Sequence, residues 1–123
     1  MKLLLDTHVI LWSVLDDPKL PGRIRTAMTG RDVALYVSAA SVWEVAIKRA
    51  LGKLDVPDDL WRHVRAAGAI PLAVTWDHAE AVQALPLHHT DPFDRLLIAQ
   101  ARSEGLTLVS LDQAMALYDV ARI

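Results

Sequence analysis

Cysteine is absent from the 123 residues. That removes disulfides, cysteine-zinc sites and thiol catalysis, and it fits a reducing cytoplasm. Long hydrophobic runs are missing as well. The apolar start Met1–Leu5 stops at Asp6, and the stretch Val9–Leu15 is interrupted by Ser13 and followed by Asp16-Asp17-Pro18. Neither has the length or flanks of a signal peptide or a membrane span, so the expectation is a soluble cytoplasmic protein with no membrane partner. An excess of one charge is lacking too. Thirteen basic residues stand against fifteen acidic ones, a formal net charge of −2. Without a global basic field, contact with nucleic acid has to use a local basic patch. There is no internal repeat, no low-complexity segment and no linker long enough to divide the chain.

What is present is a core. At 53% hydrophobic residues, a chain of this size forms one globular domain over 1–123. Leu3-Leu4-Leu5 reads as a buried strand, because a continuous apolar run suits a parallel sheet covered on both faces. A helix is expected from Thr7 to Leu15 and a short one over Gly22–Thr29. A strand at Ala34–Val37 leads to Ser38, placed to cap a helix that runs to Leu51, with Gly52 at its C′ position. Pro57-Asp58-Asp59 opens another helix, ended by Gly68. A strand at Ile70–Val74 follows, and Thr75 caps a helix through Leu85. After the loop Pro86–Thr90, Asp91 as N-cap and Pro92 at N1 start a helix through Glu104, closed by Gly105. The strand Leu106–Ser110, a short helix near Gln113–Tyr118 and an edge strand at Val120–Ile123 complete the chain. Strand and helix alternate throughout. This predicts an α/β fold, a three-layer α/β/α sandwich with a mostly parallel central sheet.

Four acids, Asp6, Glu44, Asp94 and Asp112, fall at junctions between these elements. In an open α/β sheet the C-terminal ends of parallel strands and the N-termini of the following helices share one edge, where ligands bind. The four are therefore expected to converge. Converged carboxylates repel: at about 5 Å and an effective dielectric near 20, each ionised pair costs roughly 3 kcal/mol. A cation or a shared proton must offset this, which points to a divalent-metal site. Each acid also has a plainer reading. Asp6 and Asp112 could be N-caps. Ser41-Val42-Trp43-Glu44 matches a capping box in a first turn, although Ser38 offers a competing cap that would move Glu44 a turn further in. Asp94 at N3 complements a helix dipole. Singly the plain readings suffice; jointly they leave the convergence unexplained.

The segments Leu3-Leu4-Leu5-Asp6-Thr7-His8, Val37-Ser38-Ala39-Ala40-Ser41-Val42-Trp43-Glu44-Val45-Ala46-Ile47-Lys48 and His88-His89-Thr90-Asp91-Pro92-Phe93-Asp94-Arg95-Leu96-Leu97-Ile98-Ala99-Gln100-Ala101 resemble those of PIN domains, and more narrowly the VapC-type toxins of bacterial type II toxin–antitoxin pairs. The resemblance implies that Asp6, Glu44 and Asp94 take the three core acidic positions and Asp112 the more variable fourth. There Ser110-Leu111-Asp112 stands where the family commonly has Thr-x-Asp. It also implies an endoribonuclease, a homodimer, and inhibition by a small cognate antitoxin. All-oxygen ligation suits Mg2+ or Mn2+ rather than zinc. The expected reaction is hydrolysis of an RNA phosphodiester by a metal-activated water.

Around these acids, Thr7, Ser41 and Ser110 are candidates to orient carboxylates, or caps. Lys48, Arg49, Lys53 and Arg95 are candidates for the RNA backbone. For Lys48 the alternative is an i,i+4 ion pair with Glu44, and for Arg95 a solvated helix position. His88 and His89 are read as substrate-contacting or loop-packing, and with Asp91 they raise a zinc alternative. Trp12, Trp43, Trp61 and Trp76 sit in amphipathic helix patterns and read as core or interface. Two other functions compete. A phosphatase with Asp6 as nucleophile needs a second aspartate two residues on, where this chain has His8. A non-catalytic RNA-binding or scaffolding module would be expected to have lost core acids, and all are present.

Overall fold

The computed structural model describes residues 1–123. Four strands, β1 (Lys2–Leu5), β2 (Ala34–Ser38), β3 (Ile70–Leu72) and β4 (Thr107–Val109), form one sheet in the order β3-β2-β1-β4, with every pairing parallel. Six α-helices connect or flank them: α1 (Thr7–Val14), α2 (Gly22–Met28), α3 (Ala39–Ala50), α4 (Leu60–Ala66), α5 (Trp76–Ala81) and α6 (Pro92–Glu104). Two 3-10 turns, Val82–Ala84 and Gln113–Leu117, complete the set.

The sandwich follows from the strand sequence. Successive side chains of β1 point to opposite faces. Leu3 and Leu5 enter one core with Val9, Ile10 and Ile24 of α1 and α2, and with Leu60 and Val64 of α4. Leu4 enters the other with Leu97, Ile98 and Ala101 of α6 and with Met115. A run of three leucines buried on alternate sides requires helices on both faces, and the α/β/α architecture supplies them.

Most boundaries agree with the sequence reading, and the differences have local causes. Gly105 adopts the left-handed conformation (φ 66°) and stops α6 where expected. Ser38 Oγ accepts from Ala40 N–H at 3.0 Å, so α3 begins there and Glu44 lies in its second turn. The Ser41–Glu44 capping box is thereby corrected. The strand expected to reach Val74 ends at Leu72, and the helix expected to reach Leu85 tightens after Ala81 into the 3-10 turn. The edge strand at Val120–Ile123 reduces to one bridge between Leu108 and Arg122. Of the tryptophans, Trp12 and Trp61 pack against the core. Trp43 and Trp76 do not: they are 61% and 94% exposed.

The chain runs from β1 outward to β2 and β3, then returns to lay β4 on the other side of β1. Connections therefore leave β1 and β4 in opposite directions, opening a crevice at their C-terminal ends. Such a switch point is where doubly wound sheets bind ligands. Asp6 follows β1 there, and its backbone N–H extends the ladder to Val109 O at 3.0 Å.

Candidate metal centre

Asp6 is held at this crevice with its side chain almost fully buried. It occupies the N-cap position of α1 without making a side-chain cap bond, so capping does not account for it. Ser110 Oγ donates to Asp6 Oδ2 at 2.8 Å, while Oδ1 is buried and unpartnered. Glu44, equally buried on α3, has the same split. Lys48 Nζ donates to Oε2 at 2.7 Å, and Oε1 is buried without a partner. Buried carboxylate oxygens without partners are costly, and this chain has one on each of two acids whose charges act on one another.

Asp94 is the third member. It sits at N3 of α6, whose N-cap Asp91 accepts from Phe93 N–H at 2.8 Å and Asp94 N–H at 3.4 Å. A helix N-terminus alone would favour the charged form of Asp94. Instead its pKa is pushed up to about 7, first by burial and then by the charges of Asp6 and Asp91, with Glu44 adding to them. Repulsion and desolvation outweigh the dipole. Asp6 is raised as well, chiefly by burial, with its bond from Ser110 opposing and Glu44 contributing. Shifts of this kind, with charged partners in a cleft, cluster at functional sites.

Asp112 is different. It lies on the rim, with its side chain 39% exposed. Oδ1 accepts from Ala114 N–H at 2.9 Å, capping the 3-10 turn, and Oδ2 meets His89 Nε2 at 2.8 Å. Burial works to raise its pKa, but those two bonds and the charge of His89 hold it below the usual carboxylate range. His89 Nε2 also lies 2.8 Å from Asp94 Oδ2. The one set of three metal-type donors whose ligand atoms all lie within 4.8 Å of one another is His89, Asp94 and Asp112. The four acids thus share one crevice but split into a buried group and a rim group.

The flanking candidates divide. Ser110 bonds Asp6 as expected and accepts Asp112 N–H at 3.1 Å. Thr7 Oγ1 donates to Ser41 Oγ at 2.9 Å, so these two tie the start of α1 to α3 rather than touching a carboxylate. Lys48 is engaged by Glu44, and the bond raises its pKa. Arg49 pairs with the exposed Asp58 at 2.6 Å, and Lys53 is exposed in the segment that follows α3. Arg95 takes neither expected role. Its guanidinium donates to the carbonyls of Val82, Leu85, Pro86 and His89 and to Tyr118 Oη, at 2.9–3.4 Å. With its donors committed to the 82–89 segment, it is a loop clasp rather than a free phosphate contact. His88 stacks edge-on to Tyr118 and is exposed. Sequence reasoning missed Tyr118, whose hydroxyl accepts the backbone N–H of His88 and His89 at 3.1 and 2.9 Å. Nothing in the local sequence around Tyr118 signals that contact, which spans 29–30 residues.

Beside Glu44, the exposed Trp43 meets Phe93, the neighbour of Asp94, with ring centroids 5.2 Å apart. Next to this pair an apolar groove of about 610 Å³ runs between α3, α4 and β3, lined by Val42, Ala46, Trp61, Val64 and Leu72 among others.

The sequence profile of the PIN domain matches residues 3–122. The chain belongs to the PIN domain family. Among curated proteins none matches significantly in sequence. Solved structures extend the comparison at the level of fold. The VapBC2 complex of Rickettsia felis bound to a promoter DNA fragment aligns at 11% identity with a TM-score of 0.74, over 100% of this chain and 98% of that one. FitAcB from Neisseria gonorrhoeae aligns at 20% identity and 0.64, over 98% and 96%. A toxin–antitoxin complex from Klebsiella pneumoniae aligns at 14% and 0.67, over 98% and 95%. No helix of this PIN domain is long and apolar enough to cross a membrane.

Proposed function

We propose that this PIN domain is a Mg2+- or Mn2+-dependent endoribonuclease and the toxin of a type II toxin–antitoxin pair. The observation that carries the catalytic reading is the pair of buried, unpartnered oxygens, Asp6 Oδ1 and Glu44 Oε1, together with an Asp94 whose pKa is raised first by burial and then by the charges of Asp6 and Asp91, with Glu44 adding to them. Bare carboxylate oxygens are what a hard cation binds, and an ion in their company would satisfy them and lower the pKa of Asp94. Mg2+ keeps several waters, so an open set of two or three carboxylates suffices. When bound, the ion supplies an activated water and neutralises charge at the phosphodiester. The residues do the rest. Ser110 fixes Asp6 from behind, Lys48 orients Glu44, and Asp91 sets the start of α6 so that Asp94 faces the crevice.

The toxin reading rests on the likeness of the fold to proteins solved in toxin–antitoxin complexes and on surface that a partner would cover. The apolar groove beside Trp43 suits an amphipathic antitoxin segment, and an antitoxin arginine reaching past it would pair with the core carboxylates in place of the cation. A homodimer would use further exposed apolar side chains, of which Trp76 is the most exposed. The deciding experiment is cleavage of a mixed RNA pool by the purified chain with Mn2+, against an Asp6→Asn control. Wild-type cleavage that the control lacks supports the reading. Folded wild type that leaves RNA intact with Mn2+ overturns it, and harmless expression in bacteria overturns the toxin assignment.

A further inference from the structure

On the α1 side of the crevice an open cavity of about 260 Å³ adjoins the carboxylates. Helix α1 lines it with His8, Val9 and Trp12, the segment after β4 lines it with Leu111 and Asp112, and Asp6 joins the two. His8 and Trp12 stand four residues apart and share a helix face. Their ring centroids are 5.7 Å apart, with the planes tilted by 41°. Trp12 is half-buried and backed by the core, whereas His8 is exposed. Two aromatic rings, one anchored and one at the rim, thus border a space that opens on Asp6. The catalysis proposed above uses neither.

Size, shape and charge narrow what this cavity takes. A cavity of about 150 Å³ already holds a benzene ring, so this one has room for a purine or a pyrimidine. Its aromatic and aliphatic walls suit the flat face of a heterocycle. Every nucleobase has such a face, and stacking on aromatic side chains is how unpaired bases are held. Charge argues against a phosphate in the same space. Two of the six lining residues are carboxylates and none is lysine or arginine, so an anion is repelled. A cation does stand close by without lining the cavity. The exposed Arg122 donates to the Ser110 carbonyl at 3.2 Å, one residue before Leu111. A strand with its phosphate at the crevice and its sugar at the cavity mouth delivers the attached base between Trp12 and Leu111.

Resting on the ribonuclease reading proposed above, we infer that Trp12, His8 and Leu111 form a base-binding subsite, which takes one unpaired nucleobase next to the phosphate that is cut and so restricts cleavage to single-stranded RNA. Trp12 supplies the stacking face, held still by the core behind it. His8 closes the rim as a ring, not as a charge. Leu111 covers the base from the β4 side. A base inside a duplex is already stacked on its neighbours and cannot enter, so the subsite selects unpaired segments before any sequence preference is exercised.

The test separates binding from cleavage. Fluorescence anisotropy follows a labelled single-stranded oligoribonucleotide binding to the purified full chain without divalent ion, against the same backbone with every base replaced by an abasic residue. Wild type is expected to prefer the intact strand by about 5- to 100-fold and to bind a blunt duplex no better than the abasic strand. Trp12→Leu should lose that preference. His8→Ala, a change at an exposed position, should reduce it, and His8→Phe should restore it; these two give the reading if Trp12→Leu fails to fold. With Mn2+, the same losses should fall on KM for RNA cleavage more than on kcat. A wild type that binds intact and abasic strands alike, or binds neither, overturns the inference. So does a preference unchanged in His8→Ala and in folded Trp12→Leu, which would assign the cavity to another occupant such as an antitoxin side chain. In each case cleavage by wild type with Mn2+ leaves the nuclease reading standing. Ring-dependent preference in a chain that cuts nothing keeps the subsite and removes the nuclease.

Discussion

The two sides of one crevice handle carboxylates in opposite ways. On the buried side, Asp6 and Glu44 each keep one oxygen bonded and one bare. On the rim, Asp112 has both oxygens engaged and a lowered pKa. Asp94 stands between, close to the acids on one side and to His89 on the other. The difference separates acids with a bare buried oxygen from an acid the protein has already engaged through both oxygens.

Activity is where the comparison should break most visibly. Asp6→Asn and Glu44→Gln are expected to reduce Mn2+-dependent RNA cleavage by more than about 100-fold, whereas Asp112→Asn on the rim should cost less, about 10- to 100-fold. Equal losses from initial rates on one RNA substrate would erase the distinction between buried side and rim.

Stability without metal comes next. Ionising Asp94 is harder in the folded chain than in the unfolded one, where its pKa is near 3.8. Between pH 3.8 and about 7 the folded state holds a proton that the unfolded state has released, so its contribution to stability falls as pH rises through that window. Above it the penalty is complete. Asp94→Asn should then be more stable than wild type at pH 8, on the order of 1–3 kcal/mol, with the gain vanishing towards pH 4. Urea unfolding at the two pH values measures this. A destabilised Asp94→Asn chain at pH 8 would mean that the helix-dipole interaction dominates after all.

Cation binding should give a smaller, concentration-dependent gain. At ten times its dissociation constant, Mn2+ adds about 1.4 kcal/mol, or about 5 °C in melting temperature for a domain of this size. Asp6→Asn should remove the shift and Asp112→Asn should keep it, as thermal melts with and without Mn2+ can establish. The smallest effect is expected at the loop that carries His89. Tyr118→Phe strips the acceptor from two backbone N–H groups and should cost about 1 kcal/mol. It should also speed amide exchange in residues 87–90 while leaving α6 protected. Unchanged exchange there would show that Arg95 alone holds the loop.

The sequence by itself determined the layers and the acids. Three consecutive leucines before Asp6 require a strand covered on both faces, and Asp91-Pro92 with Gly105 bounds α6 by local stereochemistry that no distant contact can override. The same locality places Asp6 and Asp94 at the ends of elements that a parallel sheet gathers on one edge, whereas Glu44 lies a turn further into its helix than the capping-box pattern suggests. What the acids do once gathered was not legible, because burial and the choice of hydrogen-bond partner are set by residues far away in the chain. Ser110 reaches Asp6 across 104 positions, and Tyr118 reaches His89 across 29. Arg95, adjacent to Asp94, reads as a phosphate contact or a solvated position and turns out to clasp a loop. Only the tertiary structure decided that Asp112 is satisfied and Glu44 is not. Partial charges interact through space, and the spacing of four carboxylates, one imidazole and one lysine exists only once the sheet has formed.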